Sequence, residues 1–198
     1  YGEILSEVSN ENQEEIATIL EQTEKLDFLI QSLVKLSRME SGIIAVHSED
    51  TAIAQMFASI QQQFNVKVRE KNITLSLCDT DLHVRCDSKW TVEALGNIVD
   101  NAIKYTACGG NVQIKAEQYS FFVKIDIIDD GIGIEKEEIP KIFGRFYRSL
   151  SVADQPGVGI GLFLAREIIQ AQKGYIKVTS KRGKGSTFSV FLPIAKKE

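Results

Sequence analysis

The stretch EALGNIVDNAIKYT, residues 93–106, decides much of the fold and supplies the first candidate site. Its polar residues recur at spacings of three and four, so a helix would carry them on one face and its apolar residues on the other. Two amides and a lysine suit a metal-bound polyphosphate, because amide oxygens can ligate Mg²⁺ and an ammonium can contact phosphate. A solvated amphipathic face is the simpler alternative for this stripe alone. The polar residues are Glu93, Asn97, Asn101, Lys104 and Tyr105.

The second candidate segment is IDIIDDGIGI, residues 125–134, in which a strand-like run ends in two acids. Gly131 and Gly133 lack Cβ atoms and would let a planar ligand approach the backbone closely. A carboxylate accepts a hydrogen bond from an exocyclic amine, so Asp129 is a candidate for recognising adenine rather than phosphate. Asp-Asp-Gly is also ordinary turn chemistry, which leaves a purely structural role open.

The third segment is PGVGIGL, residues 156–162, in which three glycines lead into a helix predicted from about residue 158 to residue 172. Backbone N–H groups and the helix dipole make such a start an anion site. The spacing is GxGxG, which matches neither the Rossmann nor the Walker pattern. The polar stretch RSLSVADQ, residues 148–155, is placed to act as a mobile lid over a nucleotide.

The rest of the chain alternates helical and strand-like patterns. Helical spacing covers residues 53–70, and Asp87 is a natural N-cap for a helix that continues to Tyr105. This order predicts an α+β fold, a two-layer α/β sandwich in which helices cover one face of a mixed sheet. The predicted strands are residues 73–78, 82–86, 112–119, 121–129, 175–180 and 186–193.

A long amphipathic helix is predicted from Glu11 to about Ser41, a stretch without Gly or Pro. Its heptad seam needs partner helices, and we interpret it as a dimerisation surface, with docking onto the chain's second domain as the alternative. IIAVHSED then reads as a short extended link. The predicted domains are therefore 1–42, a linker at 43–50, and 51–198. The seam consists of Ile16, Ile19, Thr23, Leu26, Ile30, Leu33 and Ser37.

Composition excludes several classes of function. The net charge of -4 over 198 residues gives no basic field for nucleic acid. The three cysteines form no CxxC pair, which argues against a disulfide framework and a zinc site and indicates a reducing cytoplasm. No run reaches the ~20 apolar residues of a membrane helix. Because the chain starts at Tyr1 rather than Met, we expect a fragment whose membrane attachment, if any, lies upstream.

The segments NIVDNAIKYT, DDGIGI, IFGRFYR, GVGIGL and GKGSTFSVFLP follow the order of the sequence boxes of sensor histidine kinases of two-component systems. The helix ending in KLSRMESG resembles the second helix of that family's dimerisation and histidine-phosphotransfer hairpin. The resemblance implies a Bergerat-type domain, shared with gyrase, Hsp90 and MutL, that binds ATP and Mg²⁺. It also implies a homodimer, a response regulator as partner, and a place in the cytoplasmic portion of a membrane-anchored bacterial sensor.

The resemblance assigns residues to the phosphate end of the nucleotide. It implies that Asn101 ligates Mg²⁺ with the help of Asn97. Lys104 and Arg148 would contact phosphate oxygens, and with Asn97 they form the implied catalytic set. The implied phosphate-facing backbone is that of Gly157, Gly159, Gly161 and Leu162.

At the adenine end, the resemblance implies that Asp129 binds the exocyclic amine. Phe143 and Phe146 would anchor the lid, with Phe146 also contacting the nucleotide. The other implied contacts of this end are Tyr105, Gly131, Gly133, Ile134 and Thr187.

Two departures bear on the activity. Gyrase, Hsp90 and MutL carry a water-activating Glu four residues before the metal-binding Asn, whereas this chain has Asn97, a poor general base. No segment like HE[LIF][RK]TP, the family's phosphoacceptor box, surrounds His47 or His83. We therefore predict ATP binding without self-phosphorylation, the chain beginning just after that box. A non-catalytic dimerising scaffold, and an ATPase that uses Glu93, are the alternatives.

Overall fold

A computed structural model describes residues 46–149, 152 and 157–195, together with scattered residues between 13 and 37. The described residues form two compact units. One contains the described residues between 13 and 37 with residues 157 and 158, and the other contains the rest.

The larger unit contains three helices and seven strands within its described residues. The helices are α1 (Ile53–Glu70), α2 (Ser88–Tyr105) and α3 (Gly161–Ala171). The strands are β1 (Glu49–Ala52), β2 (Thr74–Leu77), β3 (His83–Cys86), β4 (Asn111–Gln118), β5 (Phe122–Asp129), β6 (Tyr175–Ser180) and β7 (Ser186–Pro193).

Five strands form one mixed sheet in the order β2-β4-β5-β7-β6. Only β2 and β4 run parallel in it, and the other neighbours are antiparallel. Alternate residues of β5 and β7 are buried, from Val123 to Asp129 and from Ser186 to Leu192. These side chains face α2 and α3, and α1 packs on α2 and β2; the apolar stripes of all three helices are buried. The structure thus confirms the predicted two-layer α/β sandwich with a mixed sheet.

Two element boundaries differ from the sequence prediction. The predicted extended link ends in a true strand, β1, which pairs antiparallel with β3. Helix α3 begins at Gly161 rather than at residue 158. Gly159 explains the later start, because its φ of +76° is incompatible with a right-handed helix. The glycine-rich segment is therefore a turn that precedes the helix.

The start of α2 agrees with prediction in detail. The backbone N–H of Trp90 donates to Asp87 Oδ1 at 3.2 Å, so Asp87 is the N-cap. At the other end, Lys71 Nζ donates to the carbonyl oxygens of Ile103 and Lys104 at 2.9 and 2.6 Å. Because the last carbonyls of a helix are otherwise unpaired and carry partial negative charge, this ammonium stabilises the end that presents the candidate site.

The described residues between 13 and 37 are helical, as predicted, and most are exposed. Apolar side chains of the heptad seam are 44–64% exposed, including Ile19, Leu26 and Leu33. The helical hairpin and the domain limits 1–42, 43–50 and 51–198 remain predictions.

Candidate nucleotide-binding site

The predicted polar face of α2 is present and half-buried. Asn97, Asn101, Lys104 and Tyr105 all lie on it, while Leu95, Ile98 and Val99 are fully buried on the opposite side. Asn97 Nδ2 donates to the carbonyl oxygen of Glu93 at 3.0 Å, one turn earlier. This bond fixes the orientation of the amide, and its Oδ1, a hydrogen-bond acceptor, faces Gly161.

Asp129 is a buried carboxylate at the end of β5, with only 7% of the residue exposed. The backbone N–H of Gly131 donates to its Oδ1 at 2.9 Å, and the backbone N–H and hydroxyl of Ser186 lie near enough to the carboxylate to favour its charged form, although that hydroxyl also lies 3.0 Å from Ser180 Oγ. Burial nevertheless raises the pKa of Asp129, and these hydrogen bonds only partly oppose the rise. A buried acceptor held at a fixed orientation suits recognition of one amine.

The structure brings Ser186, rather than Thr187, to the Asp129 carboxylate. Asp129 and Ser186 are paired across β5 and β7, and both are buried. Thr187 pairs with Ile128, so its side chain lies on the opposite face of the sheet. The pairing therefore places Ser186, and not Thr187, beside Asp129, and the contact of Thr187 with adenine stays a prediction.

Substitution of Ser186 tests this assignment. Ser186→Ala removes a hydroxyl donor to Asp129, so the pKa of Asp129 should rise further and ATP affinity should fall about fivefold. Thr187→Val is the matched control and should leave the affinity within about twofold. Isothermal titration of both variants distinguishes the two residues, and equal losses would contradict the placement of Ser186.

The turn after Asp129 needs its glycines for close backbone contacts. A Cβ on Gly131 would lie 2.5 Å from the carbonyl oxygen of Tyr105, at the end of α2. A Cβ on Gly133, whose φ is +66°, would lie 2.1 Å from the carbonyl oxygen of Lys181. Ile134 N donates to Ser180 Oγ at 2.8 Å. The predicted residues Gly131, Gly133 and Ile134 thus join α2 to the β6–β7 turn beside Asp129.

The glycine-rich turn before α3 lies against two other predicted segments. A Cβ on Gly161 would lie 3.0 Å from Asn97 Oδ1, so the first residue of α3 faces the amide of α2. A Cβ on Gly159 would lie 2.6 Å from the carbonyl oxygen of Tyr147 and 2.8 Å from the carbonyl carbon of Phe146. The start of α3, an anion-binding geometry, therefore meets the amide-bearing face of α2.

Lys104 and Arg148 are neighbouring cations at the end of this face. Burial lowers the pKa of Lys104, and the positive charge of Arg148 lowers it further. Burial also raises the pKa of Tyr105, an effect that Arg148 opposes. Lys104 Nζ lies 4.9 Å from the centre of the Tyr105 ring. Two cations that disfavour each other's charge form a site that an anion would stabilise.

Removing Arg148 tests their proximity. Arg148→Leu should raise the pKa of Lys104 towards, but not up to, its ordinary value, because the burial remains. Lysine-selective NMR against pH measures this shift. Arg145→Leu is the matched control, since Arg145 lies over the Phe163 ring with its Cζ 4.7 Å from the ring centre. An unchanged Lys104 pKa in Arg148→Leu would refute the electrostatic contact.

The other predicted residues have positions that do not by themselves establish a contact with a nucleotide. Phe146 is 56% exposed and has a φ of +59°, a strained value for an aromatic residue. Phe143 lies beneath Arg166, whose Cζ is 5.6 Å from the ring centre. Leu162 is half-buried in the first turn of α3. Gly157 belongs to the smaller unit, so its phosphate contact stays a prediction, and most of the predicted lid lies outside the described residues.

The arrangement can hold a nucleotide along one edge of the sandwich. A buried carboxylate with a tight glycine turn forms one end, and amides, cations and a glycine-rich helix start form the other. Within the described part of the chain, no three His, Cys, Asp or Glu residues cluster as a metal site. The fold and site together define a nucleotide-binding α/β sandwich domain.

The chain belongs to the family described as Histidine kinase-, DNA gyrase B-, and HSP90-like ATPase, whose match covers residues 86–196. Sensor histidine kinase WalK of Bacillus subtilis is 33% identical over 98% of this chain, and sensor protein SrrB of Staphylococcus aureus is 29% identical over 93% of it. The mycobacterial sensor histidine kinase MprB superposes with a TM-score of 0.67 and 25% identity, covering 76% of this chain and 99% of the other.

The chain spans about a third of the length of these curated relatives, 33% of WalK and 32% of SrrB. Its matched region is the ATP-binding domain of the histidine-kinase type, as the resemblance of the sequence boxes predicted. Among the residues that the structure describes, no helix is both long enough and apolar enough to cross a bilayer.

Proposed function

We propose that this chain is the catalytic portion of a sensor histidine kinase, which transfers the γ-phosphoryl group of Mg²⁺-bound ATP to a histidine side chain. The observation that carries the proposal is the face of α2. It presents Asn97 towards the first residue of α3, carries Asn101 and Lys104 on the same side of the helix, and has no carboxylate at the position of Asn97. These amides and this lysine can stabilise phosphate charge, and position 97 offers no base that could activate water.

The proposed reaction needs positioning and charge neutralisation more than covalent help from the protein. Asp129 would accept the adenine amine and fix the base, while Lys104 and Arg148 would neutralise the phosphate oxygens. The bond from the γ-phosphorus to the β–γ bridging oxygen breaks as a bond to the acceptor imidazole nitrogen forms. ADP leaves with the electron pair, and the imidazole proton passes to a base near the acceptor.

Asn101, assisted by Asn97, would hold the magnesium ion. Amide oxygens are hard ligands, and Mg²⁺ keeps several waters and takes further oxygens from phosphates, so one or two protein ligands suffice. When bound, the ion supplies charge neutralisation between the phosphates. A Cβ on Gly161 would lie 3.0 Å from Asn97 Oδ1, so a larger residue at 161 would crowd this amide, which supports a role for glycine there.

The proposal extends to partners. The exposed seam of the N-terminal helix suits a second copy of the chain, because an apolar heptad face needs another helix to cover it. A response regulator would receive the phosphoryl group on an aspartate, and a histidine kinase named ThkA was crystallised in complex with a response regulator. We also propose that membrane attachment resides outside these 198 residues.

A transfer assay tests the proposed function. The chain would be incubated with γ-labelled ATP and a separately produced helical domain that bears an acceptor histidine in its own phosphoacceptor box. We expect acid-labile label on the added domain and none on the same domain with its acceptor histidine changed to glutamine.

Two outcomes would contradict the proposal. Steady phosphate release without labelling would favour the ATPase alternative, and ATP binding with neither release nor transfer would favour a scaffold. Stable label on His47 or His83 would contradict the expectation that the acceptor lies elsewhere. His83 Nδ1 already contacts Asp50 Oδ1 at 2.6 Å, and His47 donates its backbone N–H to Asp87 Oδ2 at 3.1 Å.

A further inference from the structure

A buried glutamine connects the two helices that form the phosphate end of the site. Gln172 directly follows α3 and is only 3% exposed. Its Oε1 accepts from the backbone N–H of Asp87 at 2.7 Å and from Thr91 Oγ1 at 3.2 Å. Its Nε2 donates to the carbonyl oxygen of Ile168 at 3.2 Å. Both polar atoms of the amide are therefore engaged: the two bonds accepted by Oε1 join the end of α3 to the start of α2, and the bond donated by Nε2 lies within the α3 segment.

This contact lies at the end of the helix pair opposite the phosphate end. Gln172 follows the last residue of α3, whereas Gly161 is its first residue and faces Asn97 Oδ1. The 11 residues of α3 correspond to roughly 16 Å of helix. A rotation or slip of α3 at Gln172 would therefore displace Gly161 from the amide of Asn97.

The hydrogen bonds of Gln172 specify the register of α3 on α2 more than they add to the stability of the fold. Apolar packing between helices is not directional, so it tolerates small slips. The two hydrogen bonds that Gln172 Oε1 accepts from the start of α2 favour one register, because a slip of α3 on α2 leaves buried polar groups unpaired. Thr91 is fully buried, so its hydroxyl has no water to replace Gln172.

We propose that Gln172 is a positioning residue for phosphoryl transfer. Through Asp87 and Thr91 it sets the register of α3 on α2, and thereby the distance between the glycine-rich turn and the Asn97–Asn101 face. The adenine end depends on Asp129 and on β5 and β7, which Gln172 does not contact by the hydrogen bonds described. The inference rests on the proposed function, since it concerns the phosphate end of the same ATP site.

The experiment compares ligands with and without phosphates. Gln172→Met keeps an unbranched side chain of similar length and removes the hydrogen bonds. We expect the affinity for Mg²⁺-ATP to fall about tenfold and that for adenosine to change less than about twofold. Transfer to the added acceptor domain should fall at least as much as ATP affinity. Gln170→Met is the matched control, because Gln170 is exposed two residues earlier.

A second variant tests the same contact even if Gln172→Met does not fold. Thr91→Val removes one of the two donors to Gln172 Oε1 with little change in shape, and we expect a smaller loss in the same direction. The effects of Thr91→Val and Gln172→Met on the ATP-to-adenosine affinity ratio should be less than additive, because both substitutions remove the same hydrogen bond, the one from Thr91 to Gln172.

The outcomes separate this inference from the proposed function. Parallel losses of ATP and adenosine affinity, or an unchanged ratio in both variants, would overturn the positioning role of Gln172. If the unsubstituted chain bound neither ligand, the proposed function itself would fail.

Discussion

Asp129→Asn should lower the affinity of the chain for ATP about 100-fold. The buried carboxylate of Asp129 accepts from Gly131 N and from Ser186, and it faces the proposed adenine amine as an acceptor. An asparagine offers one acceptor oxygen and places an N–H₂ donor where a second acceptor is needed. At least one buried donor then loses its partner. Isothermal titration with ATP measures the loss, and an unchanged affinity would remove Asp129 from the site.

The same substitution should change stability in a pH-dependent way. Because burial raises the folded pKa of Asp129, its favourable contribution is fully present below the unfolded value of about 3.9 and is lost as pH rises through the folded pKa. Asparagine does not titrate. Urea unfolding should therefore show Asp129→Asn gaining stability relative to the unsubstituted chain as pH rises from about 3.9 towards neutrality.

Asp130→Asn is the matched control with the opposite sign. Hydrogen bonds from the backbone and side chain of Asn111, at 2.9 and 2.8 Å, lower the pKa of Asp130. Its contribution to stability is present above the unfolded value and is lost as pH falls through the folded pKa. Asp130→Asn should thus lose stability relative to the unsubstituted chain as pH rises, with ATP affinity unchanged. The same pH trend in both variants would contradict the opposite pKa shifts of Asp129 and Asp130.

The sequence predicted those elements whose signals are local. Helix α1 was expected at residues 53–70, and α2 was expected to follow Asp87 and end at Tyr105, because apolar periodicity and an N-cap act within a few residues. Strands β6 and β7 likewise have the predicted bounds. Strand β1 was not predicted, because its EDTA sequence has no strand pattern and its pairing with β3 joins residues more than 30 positions apart.

The sequence indicated which segments would lie together, but not which residue of β7 would lie beside Asp129. Phe188, Val190 and Leu192 form the buried face of β7, and Ser186 continues that alternation. The alternation was visible in the sequence and would have favoured Ser186 over Thr187 beside Asp129. Gln172 carried no comparable signal, because its partners lie more than 80 residues away and only the packing of α3 against α2 brings them together.

For the glycines too, the sequence predicted a general role but not the specific contacts. Their predicted role as openings for ligand was inferred from a general property, whereas the structure shows which backbone each one contacts. Gly185, which was not predicted, is the most constrained of those beside Asp129: its φ is +83°, and a Cβ would lie 1.9 Å from the Asp129 carbonyl oxygen. This contact fixes the β6–β7 turn against the end of β5, and a sequence cannot show it without the pairing of β5 with β7.

Asn101→Ala should reduce phosphoryl transfer at least about 100-fold while adenosine affinity stays within about twofold. Asn101 lies half-buried on the same face of α2 as Asn97 and Lys104, and the proposal assigns its amide oxygen to Mg²⁺. Loss of that ligand leaves the adenine contacts at Asp129 intact, whereas phosphate charge loses its neutralisation where transfer needs it. Asn65→Ala is the control, since Asn65 is exposed on α1.

The magnesium dependence makes this prediction specific to the metal. In the unsubstituted chain Mg²⁺ should strengthen ATP binding, because by the proposal Asn101 would hold the ion beside the phosphates. In Asn101→Ala that gain should largely disappear, so titrations with and without Mg²⁺ should give similar affinities. A general loss of structure would instead weaken adenosine and ATP together and lower the midpoint of thermal unfolding. A gain from Mg²⁺ that survived the substitution would assign the metal to other ligands, and Asn97 would be the first to examine because its Oδ1 faces Gly161.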